Sequence, residues 1–439
     1  MKKVITYGSF DLFHYGHQRL LERAKELGDY LIVGVTSDDY DRVRGKINAA
    51  QPLAERIAAV KATGLADLII VEEYDGQKID DIKRYNVDIF TVGDDWKGKF
   101  DYLNKYCEVV YLPRTQGVSS TEIRTEQRNT NLGVISDSCR FIKRFINECQ
   151  YVNGMNITSI CPEKLSVSDE AVQELGLEVS ESFDEMLSKV DAVYVKSDYV
   201  TRYDYIKRAL EAGKHVLYES PMCLDPSKCG ELFELAKKNG LVLMEALRTA
   251  YATAYKRLAL LAEIGKIGDI LSIDAVCTNM KRNNPDVLAS LYEWGPNALL
   301  PVFQILGTDY KSKMILSRKS DGQDAFTRIN IVYSHATASI MVAEGAKSEG
   351  ELVITGTEAY IYVPAPWWKT EYFELRYEDP AKNRRYYYQL DGEGIRYELI
   401  EFSQAIWDNK NNPRIENDVT TAICGVMKDF GDGVDVVEI

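Results

Sequence analysis

The segment Gly8-Ser9-Phe10-Asp11-Leu12-Phe13-His14-Tyr15-Gly16-His17 places two of the chain's four histidines three residues apart, beside two glycines and an aspartate. It lies between a β-branched run at 4–7 and an amphipathic stretch at 18–27. Histidines at i and i+3 near a helix start share one face. Free backbone N–H groups and the positive end of the helix dipole favour phosphate there. Glycine at positions 8 and 16 lets backbone approach a bulky polyphosphate closely. Two surface histidines in a tight turn would look similar, but the glycines, the aspartate and the strand-to-helix placement together argue for anion chemistry.

These residues need elements to hold them. Runs at 4–7, 30–36, 68–71, 89–92 and 109–112 read as buried strands, with helices such as 18–27 and 54–61 between them. That alternation predicts a parallel α/β sheet. The series closes at 119–128, where Ser119 and Glu122 have capping-box spacing. Asn129-Thr130-Asn131 then leads into a second series, with strands at 132–135, 157–161, 191–195, 215–217 and 242–245 and helices at 140–148, 184–188, 203–212 and 229–238. From 270 onward the spacing becomes hairpin-like, as at 329–333, 338–342, 351–355, 360–363 and 373–377, which predicts an appended, mainly antiparallel sheet. The expected class is α/β: a Rossmann-like domain over 1–128, a degenerate Rossmann domain over 129–246 and an α+β sheet domain over 247–439.

Composition agrees with more than one core, since 439 residues exceed a single domain of ~100–200. With 53 Lys+Arg against 67 Asp+Glu the net charge is −14, so nucleic-acid binding is disfavoured and cations for a polyphosphate must be gathered locally. No apolar run approaches the ~18–20 residues of a membrane span, and the start runs straight into a strand-like segment. A cytoplasmic protein without membrane insertion is expected. The eight cysteines lie far apart, with no Cys-x-x-Cys pair and no histidine at zinc spacing, and read as reduced, buried thiols rather than metal ligands or disulfides.

His14-Tyr15-Gly16-His17 resembles the His-x-Gly-His signature of the nucleotidyltransferase superfamily. Three further blocks follow: 31–46 with Thr36-Ser37-Asp38 and Arg44-Gly45-Lys46, then 92–101 with Asp94-Asp95-Trp96, then 111–121 with Arg114 and Ser119-Ser120-Thr121. Over 1–126 the sequence resembles the glycerol-3-phosphate cytidylyltransferase family. The resemblance implies attack of an acceptor phosphate oxygen on the α-phosphorus of CTP with loss of pyrophosphate, catalysed by positioning and charge neutralisation. It implies that His14 and His17 stabilise the transition state, and that Lys46 and Arg44 neutralise phosphate from a loop. It places Arg114, Ser119, Ser120 and Thr121 on the β- and γ-phosphates, and Gly8, Ser9, Phe10 and Gly16 against the nucleotide. Asp94, Asp95 and Trp96 fall where a base pocket is expected, or form a solvated acidic turn with Trp96 as a lid over the core. Asp11 and Asp38 orient the acceptor or a magnesium ion. Arg56 matches an arginine bearing on the acceptor phosphate, but the second family arginine is replaced in Ala62-Thr63-Gly64, so the acceptor is left open. The implied partners are CTP and a small phosphorylated polyol or sugar, the implied cofactor Mg2+ or a similar divalent cation, and the implied setting a homo-oligomer supplying capsule or teichoic-acid-like polymers. An adenylyltransferase and a nucleotide-binding sensor are the alternatives.

From 132 to nearly the C-terminus the chain resembles the glucose-fructose oxidoreductase and inositol dehydrogenase family, through 209–221 with Glu219-Ser220-Pro221, 243–248, 264–268, 356–360 and 392–405. Its chemical positions differ. Gly133 is followed by Ser136-Asp137-Ser138 instead of a glycine-rich turn, Ser220 replaces the family's lysine, and Glu293-Trp294-Gly295-Pro296-Asn297 lacks its histidine. His215 reads as structural. These changes imply a domain that does not use NAD(P) catalytically and serves as a dimerisation platform or sugar-binding module. The alternative is a bifunctional enzyme whose second domain is an NAD(P)-dependent reductase making the acceptor phosphate.

Overall fold

The computed structural model describes residues 1–11, 13, 15–37, 40, 51, 53–74, 76–113, 129–152, 154–162, 176–280, 290–320, 323–388, 390–408 and 414–439, with positions 95 and 391 described by backbone only. The chain divides into two compact units, Met1–Asn129 and Thr130–Ile439.

In the first unit β1 (Lys3–Gly8), β2 (Tyr30–Thr36), β3 (Leu68–Glu72), β4 (Ile89–Gly93) and β5 (Glu108–Leu112) form a parallel sheet of order β3-β2-β1-β4-β5. The central strands are apolar on both faces because both are covered. Val4, Leu31 and Ile89 pack with Leu21 of α1 (Tyr15–Glu26) and Val60 of α2 (Leu53–Ala62). Their neighbours Ile5, Ile32 and Phe90 face the other way, against Ile82 of α3 (Gln77–Tyr85). The chain runs outward from β1 to β3, then crosses back to β4, so a switch-point crevice opens at the carboxyl ends of β1 and β4, where such sheets bind ligands.

The second unit begins with another parallel sheet, order β11-β10-β9-β6-β7-β8, from β6 (Thr130–Ser136), β7 (Met155–Pro162), β8 (Glu178–Val179), β9 (Ala192–Lys196), β10 (His215–Glu219) and β11 (Leu243–Ala246). Its helices α4 (Cys139–Cys149), α5 (Phe183–Leu187) and α7 (Pro226–Lys238) start on side-chain caps from Ser138, Ser182 and Asp225; α6 (Arg202–Glu211) lies between. After α8 (Arg248–Tyr251) and α9 (Thr253–Glu263) comes the third sheet, order β19-β18-β17-β16-β12-β15-β14-β13-β20. It comprises β12 (Ile270–Asn279), β13 (Ser312–Ser320), β14 (Gln323–Val332), β15 (Thr337–Glu344), β16 (Leu352–Gly356), β17 (Ala359–Val363), β18 (Tyr372–Tyr377), β19 (Arg384–Tyr387) and β20 (Val436–Glu438). Pairing is parallel at β12/β15 and β13/β20 and antiparallel elsewhere. One apolar cluster runs from Leu132 and Tyr194 through Tyr251 and Leu299 to Ile340 and Phe402, so the Rossmann and sheet portions share a core.

Helices α10 (Ser290–Leu306), α11 (Ile395–Asp408) and α12 (Asn417–Asp432) complete the unit. The sequence pattern does not announce α10, because Pro296 and Pro301 read as breaks. Burial of Leu291, Ala298, Leu299, Leu300, Val302 and Phe303 holds it helical. Among the described residues no helix is long and apolar enough to cross a membrane.

Candidate active site

At the exit of β1 the backbone turns sharply. Phe10 is fully buried and adopts φ 52°, in the left-handed region that a bulky side chain enters at a cost of roughly 1–3 kcal/mol. Gly8 makes room for it: a Cβ there would lie 3.1 Å from the Phe10 ring. The ring centroid lies 5.5 Å from His17, edge-on, and 6.5 Å from Phe13, which is itself 5.5 Å from His17. His17, in the first turn of α1, thus rests on a two-ring base formed by Phe10 and Phe13. Gly16 precedes it in the same turn.

Asp11 and Arg56 build the frame behind this turn. Asp11 is fully buried and accepts a 2.9 Å hydrogen bond from the Gln51 N–H. Arg56, also fully buried, donates from Nε to the Gln51 carbonyl (3.0 Å) and from Nη1 to the carbonyls of Ser9 (2.6 Å) and Thr36 (2.9 Å). The family pattern assigns Arg56 to the acceptor phosphate. In the structure the described hydrogen bonds of this guanidinium tie the ends of β1 and β2 to the chain entering α2.

Opposite, β4 is followed by a single 3-10 turn, Asp94–Trp96. Asp94 is exposed, whereas Trp96 is half-buried against Phe100, at 5.9 Å between centroids, with Lys99 Nζ 5.0 Å from its ring. Phe100 stacks on Phe90 (5.1 Å) and Phe90 on Tyr7 (6.1 Å), so Trp96 ends an aromatic ladder rising from the core. The pairing of Val4 with Ile89 and Thr6 with Thr91 brings the ends of β1 and β4 side by side.

A buried polar group at the same edge has no counterpart in the sequence reading. Lys78 pairs with Glu72, which also accepts from Thr36 Oγ1 (3.0 Å), and Lys78 Nζ lies 4.7 Å from the Tyr7 ring. The Tyr7 hydroxyl donates to Asp81 (2.8 Å), whose other partner is Gln77 Nε2 (3.0 Å). Burial, then Asp81, pushes the Tyr7 hydroxyl far above its usual range. Gln77, Lys78 and Asp81 are buried on α3, where the fold turns polar side chains inward.

The expected site residues His14, Asp38, Arg44, Lys46, Arg114, Ser119, Ser120 and Thr121, and the helix at 119–128, lie outside the described residues, as does the Asp95 side chain. Gly8, Ser9, Phe10, Asp11, Gly16, His17, Arg56, Asp94 and Trp96 all gather at the carboxyl edge of the first sheet.

In the second unit, the turn after β6 satisfies itself. Ser136 Oγ accepts from the Ser138 N–H (3.2 Å) and Ser138 Oγ from the Phe141 N–H (3.3 Å), while Asp137 is exposed. Gly133 serves internal packing, since a Cβ there would lie 2.9 Å from Met186 Sδ. Beside Ser220, Glu219 accepts from the Tyr194 hydroxyl (2.9 Å) and faces Lys196 (3.8 Å) and Arg248 (3.7 Å). Burial opposes its charge, but Lys196, Arg248 and Arg202 hold the carboxyl below the ordinary range. Glu398, 4.0 Å from Arg248, is pushed up to about 8 by burial, with Arg248 opposing. Asn297 accepts from Thr249 Oγ1 (2.9 Å).

Residues 5–126 match the family model described as cytidylyltransferase-like. Over 126 residues the chain is 52% identical to a glycerol-3-phosphate cytidylyltransferase of Bacillus spizizenii, covering 29% of this chain and 97% of that protein. The chain belongs to the cytidylyltransferase family. Its first unit is a nucleotidyltransferase domain. Residues 136–247 match the model for the oxidoreductase family with an NAD-binding Rossmann fold. A 132-residue stretch is 31% identical to a dTDP-3,4-didehydro-2,6-dideoxy-alpha-D-glucose 3-reductase of Streptomyces violaceoruber, covering 30% of this chain and 39% of that protein. The 3-ketoreductase KijD10 of Actinomadura kijaniata, solved with TDP-benzene and NADP, superposes with TM-score 0.61 at 19% identity, covering 71% of this chain and all of that one. That likeness establishes the fold of the second unit. The turn after β6 does not fit a dinucleotide: it has no glycine for close approach, serine hydroxyls take the Ser138 and Phe141 N–H groups at its helix start, and Asp137 adds negative charge where pyrophosphate would lie.

Proposed function

We propose that the cytidylyltransferase domain transfers the cytidylyl group of CTP to the phosphate of a small polyol or sugar phosphate. The new bond joins an acceptor phosphate oxygen to the α-phosphorus, the bond to the bridging oxygen breaks, and pyrophosphate leaves. The observation that carries this reading is 52% identity across nearly the whole of a glycerol-3-phosphate cytidylyltransferase. His17 donates an N–H to the α-phosphoryl oxygens from its aromatic base, and His14, Lys46, Arg44 and Arg114 supply further donors and charge to the phosphates. Asp94, Asp95 and Trp96 receive the base. A magnesium ion would ride on the triphosphate oxygens, where it neutralises charge, rather than in a cage of protein ligands. Asp11 and Asp38 orient the acceptor or that ion.

In this reading the chain comprises a transferase domain over 1–128 and non-catalytic Rossmann and sheet domains over 129–246 and 247–439. It acts as a cytoplasmic homo-oligomer in the synthesis of cell-surface polymers. Ser220 and Asn297 support a second unit without hydride transfer, since neither side chain can shuttle a proton as a lysine or histidine does. Mass spectrometry of the products formed from CTP and a panel of acceptor phosphates tests the proposal; a CDP-linked product is expected, and unreacted CTP throughout would refute it. The 31% identity to a 3-reductase favours one further reading, a bifunctional enzyme whose second unit reduces a keto-phosphate to the acceptor. NADPH oxidation with keto-phosphates would establish it; no oxidation is expected.

A further inference from the structure

Three cysteines that the sequence keeps apart meet inside the second unit. Cys223 lies on the loop after β10, Cys229 in the first turns of α7, and Cys424 on α12; all three are buried, and their sulfur atoms lie within 4.8 Å of one another. Cys223 Sγ is 3.3 Å from Cys229 Sγ, and the Asp225 carbonyl lies 3.1 Å from Cys223 Sγ and 3.9 Å from Cys229 Sγ. Gly425 brings α12 close to the start of α7: a Cβ there would lie 3.7 Å from Pro226 Cγ.

We propose that Cys223, Cys229 and Cys424 form a site for one thiophilic metal ion of the zinc or copper(I) class. Metal–thiolate bonds of about 2.3 Å set sulfur atoms roughly 3.8–4.0 Å apart in trigonal or tetrahedral geometry. The 3.3 Å pair and the 4.8 Å limit lie on either side of that range, so closure needs shifts of no more than about an ångström. A disulfide would use two of these sulfurs and leave the third without a task. Soft sulfur donors exclude magnesium and calcium and select d10 ions. Binding replaces three S–H bonds by three metal–sulfur bonds and releases three protons, with no change in oxidation state. The three cysteines share an apolar cluster with Met222, Leu232 and Ile206, with Glu245, Tyr218 and Asp225 as the ionisable groups in electrostatic reach. The excess negative charge of three thiolates is opposed by the N-terminal end of α7, in which Cys229 stands four residues after the Asp225 cap. The ion would clip α7 and the loop before it to α12, elements about 200 residues apart in the chain, and so brace the second unit. No sequence spacing announces it, because the third ligand is remote.

The test uses the full chain, reduced and purified from cells grown with zinc and copper. Elemental analysis is expected to find one such ion per chain. After its removal, cobalt(II) titration is expected to give a thiolate-to-cobalt charge-transfer band saturating at one equivalent. Cys223→Ser and Cys424→Ser are expected to lose both signals, and Cys277→Ser, which changes a buried cysteine of the third sheet, to keep them. A reduced wild-type chain with neither ion nor band would overturn the proposal whatever the variants do. So would a band that survives both cluster substitutions, or a Cys223–Cys229 disulfide found in place of the ion.

Discussion

Replacing Arg56 by methionine tests whether this residue holds the active-site turn or touches substrate. Methionine preserves most of the volume but removes three charge-assisted hydrogen bonds, to the carbonyls of Ser9, Thr36 and Gln51, at a position with no solvent exposure. Such bonds are worth ~1.5–3 kcal/mol each, and neighbouring losses are not additive, so we expect about 4 kcal/mol. That is a large share of a typical ~5–15 kcal/mol of total stability. Hydrogen exchange of the full chain read by mass spectrometry should show the β1 and β2 amides exchanging about 10³-fold faster, at ~1.4 kcal/mol per factor of ten. Amides of β6 and β9 should be unchanged. Arg56→Lys should recover little, because an ammonium cannot span carbonyls on three segments as the planar fork does. Normal protection of β1 and β2, together with a raised KM for the acceptor phosphate alone, would refute the reasoning and return Arg56 to the ligand.

Other outcomes follow from the same geometry. His17→Ala should lower kcat by about 10²–10⁴-fold with the fold retained by circular dichroism; near-normal turnover would remove His17 from the site. Lys78→Met strands the buried Glu72 carboxylate and should destabilise the first unit by roughly 3–5 kcal/mol, while adding Glu72→Gln should restore at least half of it. Equal losses in the single and double variants would show that the ion pair is not the source. Glu398 is raised from 4.5 to about 8 in the folded chain. Folding therefore takes up a proton there, and the associated stability is full below about pH 4.5 and lost as pH rises through 8. At ~1.4 kcal/mol per unit the effect is about 5 kcal/mol. Glu398→Gln should flatten the fall of the second unit's melting temperature between pH 5 and 9; an unaltered fall would assign it to another group.

Much of the architecture is legible in the sequence because long apolar runs such as 30–36 and 89–92 fit only strands covered on both faces. The proline-bearing α10 is not legible, because tertiary burial overrides a local rule. The glycine and histidine spacing announces a turn after β1, whereas the left-handed Phe10 and the two rings beneath His17 emerge only when the chain is folded. Arg56 shows what a family position leaves out: its described hydrogen bonds run to carbonyls 5, 20 and 47 residues away, which no spacing announces. Lys78 and Cys424 were hidden for the same reason, since their partners lie across the fold.

The most direct test of the central claim is pyrophosphate release by the full chain with magnesium, comparing CTP with ATP against glycerol 3-phosphate and other polyol, triose, pentose and hexose phosphates. The account predicts release that requires CTP and one of these acceptors, is negligible with ATP, and disappears in His17→Ala. Release with ATP in preference to CTP, or tight CTP binding with no release from any acceptor, would contradict it.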